Sequence, residues 1–181
     1  AAARNTGVRL ARGEVIGFID HDDLWAPQGL SHQLDYLAAH PAVEIVQGQI
    51  VKWQASAPGG VTFQQVSAPY QFVNLGSAVY RRTALARVGE FDERLWQAED
   101  TDWFLRAWEL NVNKAVLDRV VLYVRRHGSN LTSEDGPRTL PRVFKRHLDR
   151  MRAAGIADSA ETSAPRPSIA AYLGMPPRET I

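Results

Sequence analysis

Val15-Ile16-Gly17-Phe18-Ile19-Asp20-His21-Asp22-Asp23 is the stretch that decides how this chain is read. Five apolar residues after Gly13-Glu14, closed by a charge cluster, read as a buried strand of a parallel sheet. Ligand sites of open α/β sheets lie just beyond the carboxyl ends of such strands. Three carboxylates within four residues repel one another unless a cation sits among them. All-oxygen donors favour a hard divalent ion, Mg²⁺ or Mn²⁺, and such ions also hold substrate phosphates. The competing reading is a solvated acidic turn that binds nothing.

The bulk numbers narrow the class. A chain of 181 residues suits one domain with a sizeable core, and 45% hydrophobic with 23% charged residues is ordinary for a globular protein. A formal charge of +1 gives no case for nucleic acid as the main partner. With no cysteine, disulfides and thiolate metal sites are excluded. The sequence has no apolar run of bilayer length and no signal-peptide pattern, so the expected location is the cytoplasm, with membrane association left open.

The spacing predicts a helix over residues 1–12 with Gly13 as its left-handed terminator, then the strand over 15–19. Pro27 fits the first turn of a helix with Leu30, Leu34, Leu37 and Ala38 as its apolar stripe, ended by Pro41. A strand over 43–53, a turn over 57–60 and a return over 61–66 make a hairpin. Another short strand follows over 76–82, with Thr83 capping a helical turn. Residues 99–110 form a helix, and 114–126 read as two strand pieces hinged at Asp118-Arg119. A basic amphipathic helix spans 141–154, with Leu140, Phe144, Leu148 and Met151 on one side and Arg142, Lys145, Arg146, Arg150 and Arg152 on the others. After it Ser, Ala and Pro dominate.

Three blocks in register then carry a resemblance. The first is Ala3-Arg4-Asn5-Thr6-Gly7, Ala11-Arg12-Gly13-Glu14, the strand, Asp20-x-Asp22-Asp23 and Trp25-x-Pro27. The second is Gly89-Glu90-Phe91-Asp92-Glu93, Glu99-Asp100-Thr101-Asp102-Trp103 and Arg106-Ala107. The third is Tyr123-x-Arg125-Arg126-His127-x-x-Asn130. Together, over residues 3–130, they resemble the family 2 nucleotide-sugar glycosyltransferases. The resemblance implies an α/β fold with a mixed, mostly parallel sheet flanked by helices, similar to the nucleotide-diphospho-sugar transferase fold and lacking its first strands. It implies a partial catalytic domain over residues 1–135, followed by the basic helix over 136–156 and an extended Pro/Ser/Ala-rich tail over 157–181.

It also assigns roles. Asp20 and Asp22 would contact the nucleotide and a Mg²⁺ or Mn²⁺ ion, with Asp23 orienting a ligand or water. Asp100 would be the general base that deprotonates an acceptor hydroxyl, supported by Glu99; the competing reading places both acids as partners of a helix dipole. Asp102 is expected at the solvent or in a helix-surface pair. His127 would reach the metal or the diphosphate, against a purely structural reading. Arg125 and Arg126 would pair with phosphate oxygens, while Arg4 and Asn5 would touch the nucleotide or its phosphates. Gly76 would lie in an acceptor-side loop, and Trp96 would stack on a sugar or pack in the core. His21 is expected to have no role. The stretch 129–132 reads as a loop able to close over the nucleotide.

The implied reaction is inverting transfer of a sugar from a nucleotide-diphosphate donor to a carbohydrate or lipid-linked acceptor. Two other classes stay open: a non-catalytic remnant or binding module, and another metal-dependent phosphoryl-transfer or hydrolase enzyme. The basic helix fits peripheral membrane contact as well as packing on the sheet. A cut beside the 15–19 strand would expose an edge for homo-oligomer pairing.

Overall fold

The computed structural model describes residues 1–57, 60–127, 139–155 and 167–175. In chain order the elements are α1 (Ala2–Leu10), β1 (Val15–Gly17), β2 (Leu24–Trp25), α2 (Gly29–Ala39), β3 (Ile45–Ala55), β4 (Phe63–Gln65), β5 (Ala78–Arg81), α3 (Arg82–Val88), α4 (Glu99–Glu109), β6 (Lys114–Arg126), α5 (Leu140–Ala153) and α6 (Ile169–Leu173). A 3₁₀ turn, Leu75–Ser77, leads into β5.

The sheet runs β1-β5-β3-β6-β2, with β4 paired to the far end of β3. It is mixed, as the sequence implies, but not mostly parallel. Among the described residues only β3 and β6 run parallel, joined by the long crossover through α3 and α4 that such a pair requires. The expected buried parallel strand over 15–19 is a three-residue edge strand, antiparallel to β5 through Ile16 opposite Tyr80. Ile16 is buried, whereas Ile19 is 43% exposed. An apolar run of five does not by itself distinguish a central strand from an edge that packs on one face.

Alternation across the strands divides the core. Ile45 and Tyr80 face one side, under α3 to α6 with Trp103, Phe104, Leu105, Val143 and Leu173. Their neighbours Val46 and Val79 face the other, under Leu37 of α2. Fully burying each large side chain contributes about 1.5–3 kcal/mol. The α2 stripe is rotated from the one expected. Gly29, Gln33 and Leu37 are buried while Leu34 and Ala38 face outward, and Pro27 stands outside the first turn, before Gln28 in the left-handed region. Gly29 is required by close approach: a Cβ there would stand 2.9 Å from the Cα of Val121. Buried Gln33 donates to the carbonyls of Val46 (3.0 Å) and Ser77 (2.9 Å), tying helix to sheet.

Further differences have local causes. Gly13 is not a left-handed terminator. Helix α1 closes at Ala11 in extended backbone, and the Arg82 guanidinium takes up the carbonyls of Ala11 and Gly13. Thr83 lies inside α3 rather than capping it. The hinge expected at Asp118-Arg119 is a bulge in one continuous strand, where Gln47 pairs with Val116 but Gln49 pairs with Val120. In α5 the inward face is Val143 and His147, with Leu148 51% exposed. Two of its arginines serve docking: Arg146 meets Asp92 at 2.8 Å, and Arg150 meets Glu109 at 2.8 Å and Asp102 at 3.5 Å. Asp102, expected at the solvent or in a helix-surface pair, does pair with Arg106 four residues on at 2.9 Å, but at 1% exposure the pair's acid is buried. Within the stretch expected as an extended tail, α6 buries Tyr172 and Leu173 in the core.

Asn5 is likewise turned inward. Its amide donates to the Phe91 carbonyl (2.9 Å) and the Glu93 carboxylate (3.0 Å), and its oxygen accepts the Phe91 N–H (2.9 Å). Both ends of this buried side chain are engaged by the 91–93 loop, so the expectation of a nucleotide contact from Asn5 is corrected.

Two outcomes follow. Asn5→Ala strands the Phe91 amide and should cost about 1–3 kcal/mol in urea unfolding, with the fold retained. Lys114, half-buried at the start of β6, has its pKa pulled down to about 7 by burial. The unfolded chain therefore binds the extra proton between about pH 7 and 10.5, and stability rises with pH across that window. Lys114→Met should flatten the rise in melting temperature between roughly pH 7 and 9.

Candidate active site

The carboxyl end of β1 feeds the acidic run directly. Phe18 anchors its base, edge-on to Tyr80 (5.5 Å) and Phe91 (5.6 Å), and the chain then turns with the Asp23 N–H donating to the Asp20 carbonyl (3.0 Å). The acids that follow stand at the rim of the sheet while their support is rigid.

Arg4, from α1, lies between the two acidic motifs. One guanidinium nitrogen meets Asp20 at 3.0 Å and another donates to Glu99. Asp20 and Glu99, 79 positions apart in sequence, are thereby joined through one side chain. Asp100 follows Glu99 in the first turn of α4, behind Ala98 in the left-handed region (φ 60°). Its carboxylate accepts the Thr101 N–H at 2.6 Å. Burial, reinforced by the Glu99 charge, pushes Asp100 up to about 6, while the Thr101 bond and the Arg4 charge oppose the rise.

The carboxyl end of β6 forms the other wall. His127 places Nε2 3.2 Å from the Asp22 carboxylate. The Arg125 N–H donates to Asp23 at 3.1 Å, and the Arg125 side chain donates to the Asp22 carbonyl. Burial, together with the charges of Asp22 and Asp20, raises Asp23 to about 6 against the pull of Arg125. Arg126 stands opposite Gln54 in the sheet, and its charge acts on the Tyr70 hydroxyl. Among the described residues no three Asp, Glu, His or Cys side chains are grouped closely enough to hold a metal by themselves. Asp22 and His127 are the closest donor pair of the acidic run.

Asp20, Glu99 and Asp100 are thus drawn together, and Asp22, Asp23 and His127 adjoin them. Gly76 belongs to the same rim: its carbonyl accepts the Trp25 indole N–H at 3.2 Å, and its own N–H donates to Asn74 at 2.8 Å. Trp96 is 78% exposed, which removes the core alternative for it. The His21 side chain is exposed. The loop expected over 129–132 lies outside the described residues. The bridging by Arg4 and the clamp by Arg125 were not readable as such, because nothing local in either stretch names the distant partner.

Residues 1–88 match the family model described as glycosyl transferase family 2. The amylovoran biosynthesis glycosyltransferase AmsB of Erwinia amylovora is 29% identical over 125 residues, covering 61% of this chain and 41% of the relative. The solved structure of S. aureus TarS 1-349 superposes with a TM-score of 0.53 at 22% identity, covering 89% of this chain and 46% of that one. A second S. aureus TarS structure gives 0.51 at 20% identity, over 89% and 28%. The chain therefore spans less than half the length of these relatives. Among the described residues no helix is long and apolar enough to cross a membrane. Over residues 1–88 the chain is thus similar to glycosyl transferase family 2, and it shares its fold with the S. aureus TarS structures.

Proposed function

We propose that this chain carries the acceptor-activating and diphosphate-facing part of an inverting glycosyltransferase that uses a nucleotide-diphosphate sugar. The observation that carries the reading is the Arg4 bridge, which holds the acidic run and the Glu99-Asp100 pair at one rim.

In this reading Asp100 accepts the proton of an acceptor hydroxyl as that oxygen bonds to the anomeric carbon. The bond from that carbon to the diphosphate breaks in the same step, and its electron pair leaves with the nucleoside diphosphate. A carboxylate raised to about 6 is still ionised at neutral pH and is a stronger base than a free aspartate. Glu99, neutralised by Arg4, holds the helix end in place. Arg4 and Arg126 supply donors for phosphate oxygens. Trp96, exposed ahead of the acid pair, offers a flat face for an acceptor sugar, and Gly76 lets its backbone approach. Asp23 orients the Asp22 loop through Arg125.

Asp22 and His127 suit a Mg²⁺ or Mn²⁺ ion, with Asp20 alongside. Two protein donors are enough for a hard cation that keeps water and substrate phosphates as its other ligands. When bound, such an ion would offset the charge gathering on the departing diphosphate. The acceptor is carbohydrate or lipid-linked. For the latter, the outward Arg142, Lys145 and Arg152 of α5 are available to an anionic membrane surface. Strand β1, at the edge of the sheet among the described residues, offers a route to a homo-oligomer.

Three measurements test this. Asp100→Asn should lower turnover of a nucleotide sugar by ~10²–10⁴-fold with donor binding retained. Below about pH 6 the parent's rate should fall roughly tenfold per unit as Asp100 gains its proton. In calorimetry, Asp22→Ala should abolish the Mn²⁺-dependent heat of nucleoside diphosphate binding. Wild-type turnover in Asp100→Asn would refute the assignment of the base.

A further inference from the structure

Lys114 begins β6 without a carboxylate at ion-pair distance among the described residues. Its ammonium instead donates to the Gln47 side-chain oxygen at 2.8 Å and to the backbone carbonyl of Tyr172 in α6. It also lies over the rings of Tyr172 (4.8 Å) and Phe104 (5.5 Å). A half-buried amine held by two neutral oxygens and two ring faces is an unusual arrangement for packing alone, since an apolar side chain would fill the space without burying a polar group.

What the arrangement reaches is informative. Gln47 is fully buried, and its amide nitrogen passes the connection on, donating to the Phe72 carbonyl (2.6 Å) and the Ser77 hydroxyl (3.1 Å). The Ser77 hydroxyl donates to the Asn74 carbonyl (2.9 Å), and the Asn74 side chain accepts the N–H groups of Gly76 (2.8 Å) and Ser77 (3.2 Å). Gly76 then accepts the indole of Trp25, two residues after Asp23. The end of α6 meets the same segment from outside. At Gly174 (φ +72°) a Cβ would stand 2.8 Å from the Gln71 side chain and 3.1 Å from its carbonyl carbon.

We propose that α6 and Lys114 form a latch that positions residues 71–77, so that the seating of α6 sets where Gly76 and Trp25 stand at the rim of the acidic cleft. Lys114 and Gln47 are positioning residues. The segment is gripped at two points, by Gly174 against Gln71 and by Gln47 on Phe72 and Ser77. Buried networks of this kind hold one arrangement because loss of any member leaves the others unsatisfied. The inference extends the proposed site but rests on contacts that exist whether or not sugar transfer occurs, and its test is independent of activity.

Hydrogen exchange read by mass spectrometry on the whole chain decides it. Gly174→Val crowds Gln71, and Lys114→Met removes the donors to Gln47 and Tyr172. Both should speed exchange of peptides covering 72–77 and 24–26 by tenfold or more, with 45–51 and 103–107 as protected as in the parent. Tyr172→Phe, which loses only the hydroxyl bond to Val112 (3.1 Å), should leave 72–77 unchanged. If α6 loosens in the first two variants while 72–77 keeps the parent's protection, the latch is refuted. General loss of protection including 45–51 in both would likewise refute it, marking α6 as an ordinary part of the core.

Discussion

Five carboxylates, from Asp20, Asp22, Asp23, Glu99 and Asp100, meet at one end of this sheet, and their mutual repulsion is the constraint around which the cleft is organised. Arg4 answers part of it by placing one guanidinium between Asp20 and Glu99. Arg125 answers another part from β6, with its backbone N–H on Asp23 and its side chain on the Asp22 carbonyl. Burial, with the neighbouring carboxylates adding to it, raises the proton affinity of Asp23 and Asp100.

The supports of these charges come from opposite ends of the chain. Helix α1 delivers Arg4 and, one residue on, buries Asn5 against the 91–93 loop. One helical turn therefore links the acidic run to the approach to α4. Helix α4 is in turn the most buried of the described helices, with Trp103, Phe104, Leu105 and Ala107 enclosed between the sheet, α5 and α6. The order of the cleft follows from this enclosure more than from its own contacts.

Much of this was legible in the sequence, though unevenly. The acidic run was readable from its own spacing, whereas the Glu99-Asp100 pair and His127 stood out only through the resemblance to family 2 glycosyltransferases. Strand direction was not, since the apolar run before Asp20 fits a central parallel strand and a one-sided edge strand equally well. The stripe of α2 was misplaced because a glutamine, Gln33, occupies a core position. It is accepted there only because two distant carbonyls take its protons. The inward turn of Asn5, the burial of Asp102 and the role of Lys114 depend on partners tens of residues away. The same holds for α6, whose short apolar run is surrounded by Ser, Ala and Pro.

The placement of Asp100 on α4 has a consequence for how this molecule tolerates change. The residues directly after the proposed base are its core, so a repacking that moves Trp103 or Phe104 by a fraction of an ångström also re-aims the carboxylate. Thermal robustness and chemical competence are therefore not separate traits here. With Asp100 as the proposed base, substitutions chosen to strengthen the interior would also be screened for the aim of its carboxylate, and variation in ligand preference would be confined to the loops that do not share that helix.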